Sequence, residues 1–472
     1  MSVKPREMQA VAPVAKGAAR CPDAPTTQEI IAKDRAEAPD WVRSQRYEFL
    51  GDDDISTERY VSAAFAQREY HTLWKKTWQI ACREEHIPQI GDYYVYDIGR
   101  YSFLITRVAE DEVRAYYNAC LHRGTKLRAS GTQGTATEFR CSFHGWSWNV
   151  DGSNKRIMCP WDFPHVDAKQ ASLPQARVER LGGFVFINMD CDAPSLADYL
   201  GPEGKAHMDA WKLQDRYVHL HVVKRMAANW KLVVGAFAEG YHVISTHPQV
   251  AVSCADANME YDVYGDHFDR FISAMGVLSP HLEGQYTEQA ILDQFTLGDS
   301  SALQGVKRVV PPGGTARQIM ADMYREMIGK AHDRDMSCVS DSELLDCFSY
   351  TLFPSAYLFP GVSFPMVYRF RPDKDDHRKS LFEVWFLRPV PESGARPPTA
   401  EPILLRDDQS FAEAEGMDPG FAQILDQDTA NLALQQEGID ATARQGLTLG
   451  NYQEIRVRNF ERSVDRYVGT RD

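Results

Sequence analysis

The sequence predicts an α+β chain in which a small all-β domain, about residues 78–190, precedes a larger domain, 191–472, that sets helices against an antiparallel sheet. Three observations predict it. Residues 78–190 are rich in short runs of strand-forming residues, at 93–97, 103–106 and 184–188. Farther on, 217–224, 366–370 and 382–387 alternate like strands of an antiparallel sheet with one face covered. Helical spacing appears in 288–295, 316–330 and 418–438.

Taken in order, residues 1–40 carry Pro5, Pro13, Ala15, Ala18, Ala19, Pro22 and Pro25 and read as a mobile arm without the apolar core of a secretory signal. Residues 41–77 hold apolar and aromatic side chains at helical spacing, including Tyr60, Phe65 and Leu73, and are expected to pack on the larger domain. The stretch 280–345, with Pro311-Pro312-Gly313-Gly314 between two helical runs, reads either as a cap over a substrate entrance or as a surface excursion.

Two runs inside the β-rich domain carry the first chemistry. Cys120-Leu121-His122-Arg123-Gly124 and Cys141-Ser142-Phe143-His144-Gly145-Trp146 each offer one thiolate and one imidazole. A Rieske 2Fe-2S cluster needs this mixture, because two histidines replace cysteine on one of its irons. In an extended loop Cys120 and His122 point to the same side, and glycine follows each histidine where a turn needs a backbone without Cβ. Tetrahedral zinc is the competing reading, but zinc modules group Cys with Cys and His with His, whereas this chain alternates them. Arg123, Lys126, Trp146 and Trp148 flank the loops, either as packing or as a docking surface for an electron carrier.

A second candidate lies about a hundred residues downstream, in Asn229-Trp230-Lys231 through Glu239-Gly240-Tyr241-His242 to His247-Pro248. On an ideal helix, imidazoles five residues apart diverge by roughly 140°, so the helix must deform or end between His242 and His247. Pro248 pushes His247 out of the helical region and lets it swing inward. Far along the chain, 418–438 reads as one helix, with Asp418 as N-cap, Pro419 in the first turn and Gly438 at its end. Phe421, Ile424, Leu425 and Leu432 share a face, and Asp428 falls in its middle, while Asp426 points elsewhere. A carboxylate there must be hydrogen-bonded, paired or bound to a metal. His242, His247 and Asp428 together make a two-His, one-carboxylate set that leaves positions open on ferrous iron.

With both constellations in this order, the chain resembles the Rieske non-heme iron oxygenases, specifically the catalytic alpha subunit of the aromatic-ring-hydroxylating dioxygenase family. The resemblance covers most of the chain, from Trp78-Gln79-Ile80 to Gln436-Glu437-Gly438. It implies a helix-grip, START-like catalytic domain and a mononuclear Fe(II) beside the 2Fe-2S cluster. It also implies that Glu239 is the inter-subunit electron bridge, touching His242 of its own chain and the Rieske histidine, His144, of a neighbour. The family usually has Asp there, with Glu in some monooxygenase-like branches. Polar residues common just ahead of the motif are replaced by Gly235 and Ala236, which implies a roomier or less polar pocket.

The expected activity is that of a terminal oxygenase, hydroxylating or cis-dihydroxylating an aromatic or other largely apolar substrate with dioxygen. The alternatives are an O- or N-demethylase or aliphatic monooxygenase of the same family and, from another class, an electron-transfer Rieske protein. No G-x-G-x-x-G follows a strand, so NAD(P)H would act only through a separate reductase, with or without a ferredoxin. A homotrimer is expected, with or without a small beta subunit, because head-to-tail contacts close naturally into a ring. The net charge of −14 argues against a nucleic-acid partner. No apolar run is long enough for a membrane span, and nine cysteines, an odd number, favour a cytoplasmic setting. Phe237, Phe353 and Phe364 are candidates for pocket walls, with core packing as the plainer reading of each.

Overall fold

The computed structural model describes residues 14–469 apart from residues 23, 168, 298–306, 334 and 392–393. Two large sheets organise it. The first runs in the order Gln79–Arg83, Phe184–Asn188, Gln175–Leu181, Glu112–Tyr117, Tyr101–Ala109, Asp92–Ile98, Gln133–Thr135, every pair antiparallel. Beside it a small sheet of Glu138–Arg140, Ser147–Asn149 and Asn154–Arg156 carries the second Cys/His loop between its first two strands.

The second sheet runs Glu260–Val263, Phe268–Ser273, Cys347–Leu352, Ala356–Phe359, Met366–Pro372, Ser380–Pro389, Arg216–Met226, Pro402–Leu405. Only the last pairing is parallel, with His221 opposite Pro402. Both faces are covered. Phe370 and Phe382 meet Phe237, at the end of the helix Trp230–Ala236, at ring distances of 6.1 and 5.0 Å. Their neighbours point the other way, toward the first sheet, where Arg369 donates to the Ile80 carbonyl at 3.1 Å and Arg371 to the Asp97 carbonyl at 2.7 Å.

Both arginines converge on Glu383, which is 1% exposed and lies 2.6 Å from the Arg369 guanidinium. Burial alone would raise the Glu383 carboxyl, but Arg369 and Arg371 outweigh it and hold it well below the usual range. This paired cluster clamps the sheets together, and removing one member would strand buried charge at a cost of about 3–5 kcal/mol.

The arm expected over residues 1–40 is docked from at least Arg20 onward, where the Arg20 guanidinium lies 3.6 Å from the Tyr452 ring centre and the Cys21 amide donates to Asn258 at 2.8 Å; residues 1–13 lie outside the described residues. The helix Thr27–Ile31 is closed by a Thr26/Glu29 capping box. Ile30 packs on Ala255 and Ala274, while Asp34 pairs with the largely buried Arg317 at 3.1 Å and accepts from the Ser342 amide at 2.7 Å. A few such contacts suffice to overrule a composition rich in Pro and Ala.

Residues 57–76 form three short helices, Glu58–Val61, Ala63–His71 and Leu73–Lys76. They pack against the C-terminal helix Ile455–Val468, with Arg59 paired to Glu461 at 2.8 Å and to Asp465 at 3.0 Å. Glu69 takes Lys231 at 2.7 Å and the Trp230 indole N–H at 3.2 Å, fixing the start of the helix that leads to the histidines.

The helix expected to end at Gly438 runs Pro419–Ala441. Gly438 is open to solvent, and burial of Ile439 carries the helix past it at a propensity cost of about 1 kcal/mol. The 280–345 region contributes the helices Glu288–Leu297, Ala316–His332 and Asp341–Leu345. Its apolar side chains form one cluster with Val243, Val250 and Val252, so it sits on the histidine segment itself. Among the described residues no helix is long and apolar enough to cross a membrane.

Candidate metal centres

The two Cys/His loops are built alike. Cys120 N–H donates to the Thr125 carbonyl at 2.8 Å and Gly124 N–H to the Cys120 carbonyl at 2.9 Å; the second loop repeats this from Cys141 to Trp146 at 2.8 Å and from Gly145 to Cys141 at 3.1 Å. Each turn closes through a glycine at positive φ, +79° at Gly124 and +73° at Gly145, where a side chain would be strained. Each also aims two amides at its own sulfur: His122 and Arg123 at Cys120, Phe143 and His144 at Cys141. Burial opposes the Cys141 thiolate, but those amides lower its pKa below the ordinary thiol value.

The His122 and His144 rings stand 4.7 Å apart at 77°, and Trp146 stacks on His122 at 5.3 Å. His122 Nδ1 is buried and makes no hydrogen bond. Sulfurs ringed by amides together with an orphaned imidazole nitrogen fit a thiolate- and imidazole-ligated cluster. The cysteines are buried, whereas Leu121, Phe143 and His144 are exposed, so the histidine edge faces outward.

The downstream site is assembled differently. The helix Trp230–Ala236, N-capped by Asn229, stops, and the chain crosses Glu239-Gly240 before a single turn, Val243–Thr246. His242 caps the start of that turn and His247 its end, with φ −123° and ψ 57° at His247, the departure Pro248 demands. A Cβ on Gly240 would lie 2.1 Å from Met259 Sδ, so only glycine lets the crossing approach Met259 and Tyr261.

The long helix brings Asp428 to the two histidines, 2.8 Å from His247 Nε2 and 3.5 Å from His242 Nε2, with Asp428 and His247 buried and His242 one-quarter exposed. Donor atoms of all three lie within 4.8 Å of one another. Asp426 is spent elsewhere, accepting from Ser410 and from the Phe411 amide.

Each histidine is gripped on its far nitrogen. Glu239 Oε1 lies 2.6 Å from His242 Nδ1, and its other oxygen accepts the His242 amide at 3.1 Å. Gln427 Oε1 lies 2.9 Å from His247 Nδ1 and also accepts from Gln249 at 2.8 Å. A proton held on each Nδ1 leaves each Nε2 lone pair facing Asp428, the orientation a cation needs. Burial would lower the His242 imidazole, but the Glu239 hydrogen bond and the charges of Glu239 and Asp428 lift it to about 9. The same negative charge favours a divalent ion.

Gln427 carried no signal in the sequence beyond standing next to Asp428, because its partner is 180 residues away. The site opens on a cavity of about 140 Å³ whose walls include Phe271, Phe359, Phe364, Met366, Tyr368 and Phe421. Phe237 and Phe364 line it, against the plainer packing reading of each, and so does Ala236. Phe353 does not: it is core, stacked on Tyr467 at 5.7 Å. Gly235 faces Val457.

A family description, ring hydroxylating alpha subunit (catalytic domain), matches residues 206–470, and a Rieske [2Fe-2S] domain matches residues 77–166. The chain belongs to the ring-hydroxylating alpha-subunit family. Membership brings both cofactors, a Rieske 2Fe-2S cluster and a mononuclear iron. This alpha subunit is similar to the anthranilate 1,2-dioxygenase large subunit of Acinetobacter baylyi, 29% identical over 46% of this chain and 47% of that one. It is also similar to the carnitine monooxygenase oxygenase subunit of Escherichia coli, 30% identical over 41% and 52%. The chain spans about half the length of the curated relatives it matches. A solved quaternary ammonium Rieske monooxygenase shares the fold, with TM-score 0.61 at 17% identity over 88% of this chain and 95% of that one.

Proposed function

We propose that the protein is a terminal oxygenase component that uses dioxygen, with electrons from a separate reductase and with or without a ferredoxin, to hydroxylate or cis-dihydroxylate an aromatic or other largely apolar substrate. The observation that carries this reading is the His242, His247 and Asp428 set opening on an apolar cavity. Cys120, Cys141, His122 and His144 hold the 2Fe-2S cluster, and His242, His247 and Asp428 hold the ferrous ion. A ferrous ion held by these three residues would supply an open position for the binding and reduction of dioxygen.

The chain's own residues do the rest. Glu239 and Gln427 orient the two imidazoles, and the aromatic walls hold the substrate and exclude water. Glu239 links His242 to the Rieske histidine of a neighbouring protomer, so the working unit is a homotrimer, with or without a small beta subunit. In support, the solved fold neighbour is described in terms of inter-subunit electron transfer, and Tyr241, next to Glu239 and His242, is 59% exposed. Nine cysteines, an odd number of which the cluster takes two, support a cytoplasmic setting.

A second reading, monooxygenation or demethylation, is favoured by Glu rather than Asp at 239 and by relatives named as monooxygenases. Reductase-coupled oxygen uptake under labelled dioxygen tests both. Two labelled oxygens in a cis-diol, or one on an aromatic ring with the carbon skeleton intact, select the first reading; one in an aliphatic alcohol, or loss of a methyl group as formaldehyde, selects the second. Cluster reduction with no oxygen uptake on any aromatic or apolar compound overturns both.

A further inference from the structure

Resting on the oxygenase reading, we infer that the cavity sorts substrates by charge, admitting one uncharged ring-sized molecule and refusing carboxylates.

Among the described residues the lining holds six aromatic rings (Phe237, Phe271, Phe359, Phe364, Tyr368 and Phe421) and three thioethers, and no Lys or Arg. Arg456 sits behind the wall with its guanidinium 4.9 Å from the Phe271 ring centre, but it is committed to Asp269 at 2.6 Å and to Thr351 at 2.9 Å. The Phe271 ring screens it from the cavity.

The carboxylates and imidazoles of the lining, Glu239, Asp428, His242 and His247, are taken up by the proposed iron site and its orienting contacts. The two wall thiols add nothing at neutral pH, since burial raises both Cys254, to about 12, and Cys347. A carboxylate entering this space would lose its hydration and meet no Lys or Arg among the described residues. An ammonium group would likewise lose its hydration and meet only aromatic faces in exchange. A volume of about 140 Å³ suits a single ring with a small substituent. The outcome is selection by desolvation, with no dedicated charged residue.

Near-isosteric pairs that differ by one charge test this on the holoenzyme: nitrobenzene against benzoate, and ethylbenzene against benzylammonium. Affinity is measured by calorimetry and turnover by reductase-coupled oxygen uptake. Nitrobenzene is expected to bind at least about 100-fold more tightly than benzoate, and ethylbenzene more tightly than benzylammonium. Phe364→Arg, at a half-buried wall position where a long side chain can reach solvent, should raise benzoate affinity about tenfold relative to nitrobenzene. Benzoate matching nitrobenzene, benzylammonium surpassing ethylbenzene, or a Phe364→Arg protein that binds nitrobenzene without gaining benzoate would overturn the charge rule. Binding of none of the four to iron-loaded protein overturns the single-ring assignment. The expected order of affinities without any turnover counts against the oxygenase reading alone.

Discussion

The two candidate metal centres solve one problem by opposite means. The Rieske loops are local and duplicated: each supplies its own turn, glycine and pair of amides to its own sulfur. The mononuclear site is pieced together from a helix break and a helix about 180 residues later, and each histidine is held by a different kind of acceptor, Glu239 or Gln427. A local centre tolerates rearrangement elsewhere, whereas an assembled one depends on the packing that brings its pieces together.

The largest expected effect separates them outright. Asp428→Ala should abolish turnover and iron binding at the downstream site while the visible absorption of the cluster persists, because neither loop touches Asp428. Loss of both metals would mean the centres are not independent.

Next, Glu239→Gln should keep both metals yet slow electron transfer into the iron site by more than tenfold in single-turnover measurements, since it connects and orients rather than ligates. Unchanged transfer would remove it from the path. Gln427→Leu should weaken ferrous or cobaltous ion binding by about 10- to 100-fold, as loss of an orienting partner does, and Gln427→Glu should restore it. An unaltered isotherm for Gln427→Leu would leave His247 oriented by the backbone alone.

The comparison also accounts for what could be read in the sequence. Both Cys/His pairs were legible because all their chemistry lies within a few consecutive residues. His242 and His247 were legible through Pro248, and Asp428 through the misfit of a carboxylate on an apolar helix face. Gln427 was not, since a polar residue on a partly exposed face is unremarkable until its partner is known.

The cavity walls were hidden for another reason. Strands such as Met366–Pro372 and Phe268–Ser273 are buried on both faces, so alternation does not say which side chains face the iron and which face the first sheet. Phe353 and Phe364 look alike in sequence, and only packing separates core from wall. The N-terminal segment was misjudged because Ile30 and Asp34 dock it through few residues amid Pro and Ala.

A last expected effect concerns stability rather than turnover, and it spans both regions. Burial lowers His86 and His207 to about 3 and His219 and His267 to about 4. Each stays neutral when folded but takes up a proton when unfolded below pH 6.5. Stability should therefore fall as pH drops from about 6.5 toward 4, by up to about 1.4 kcal/mol per pH unit per histidine. Denaturant melts at several pH values read this slope, and a flat profile would place these imidazoles in contact with water.

The central claim is that one chain carries a sulfide-bridged cluster and a separate iron held by His242, His247 and Asp428. Paired iron and acid-labile sulfide analysis of the wild-type and Asp428→Ala proteins tests it most directly. The account predicts about three irons and two sulfides per wild-type chain, falling to about two and two in the variant. Absence of labile sulfide, or iron content that Asp428→Ala leaves untouched, would contradict it.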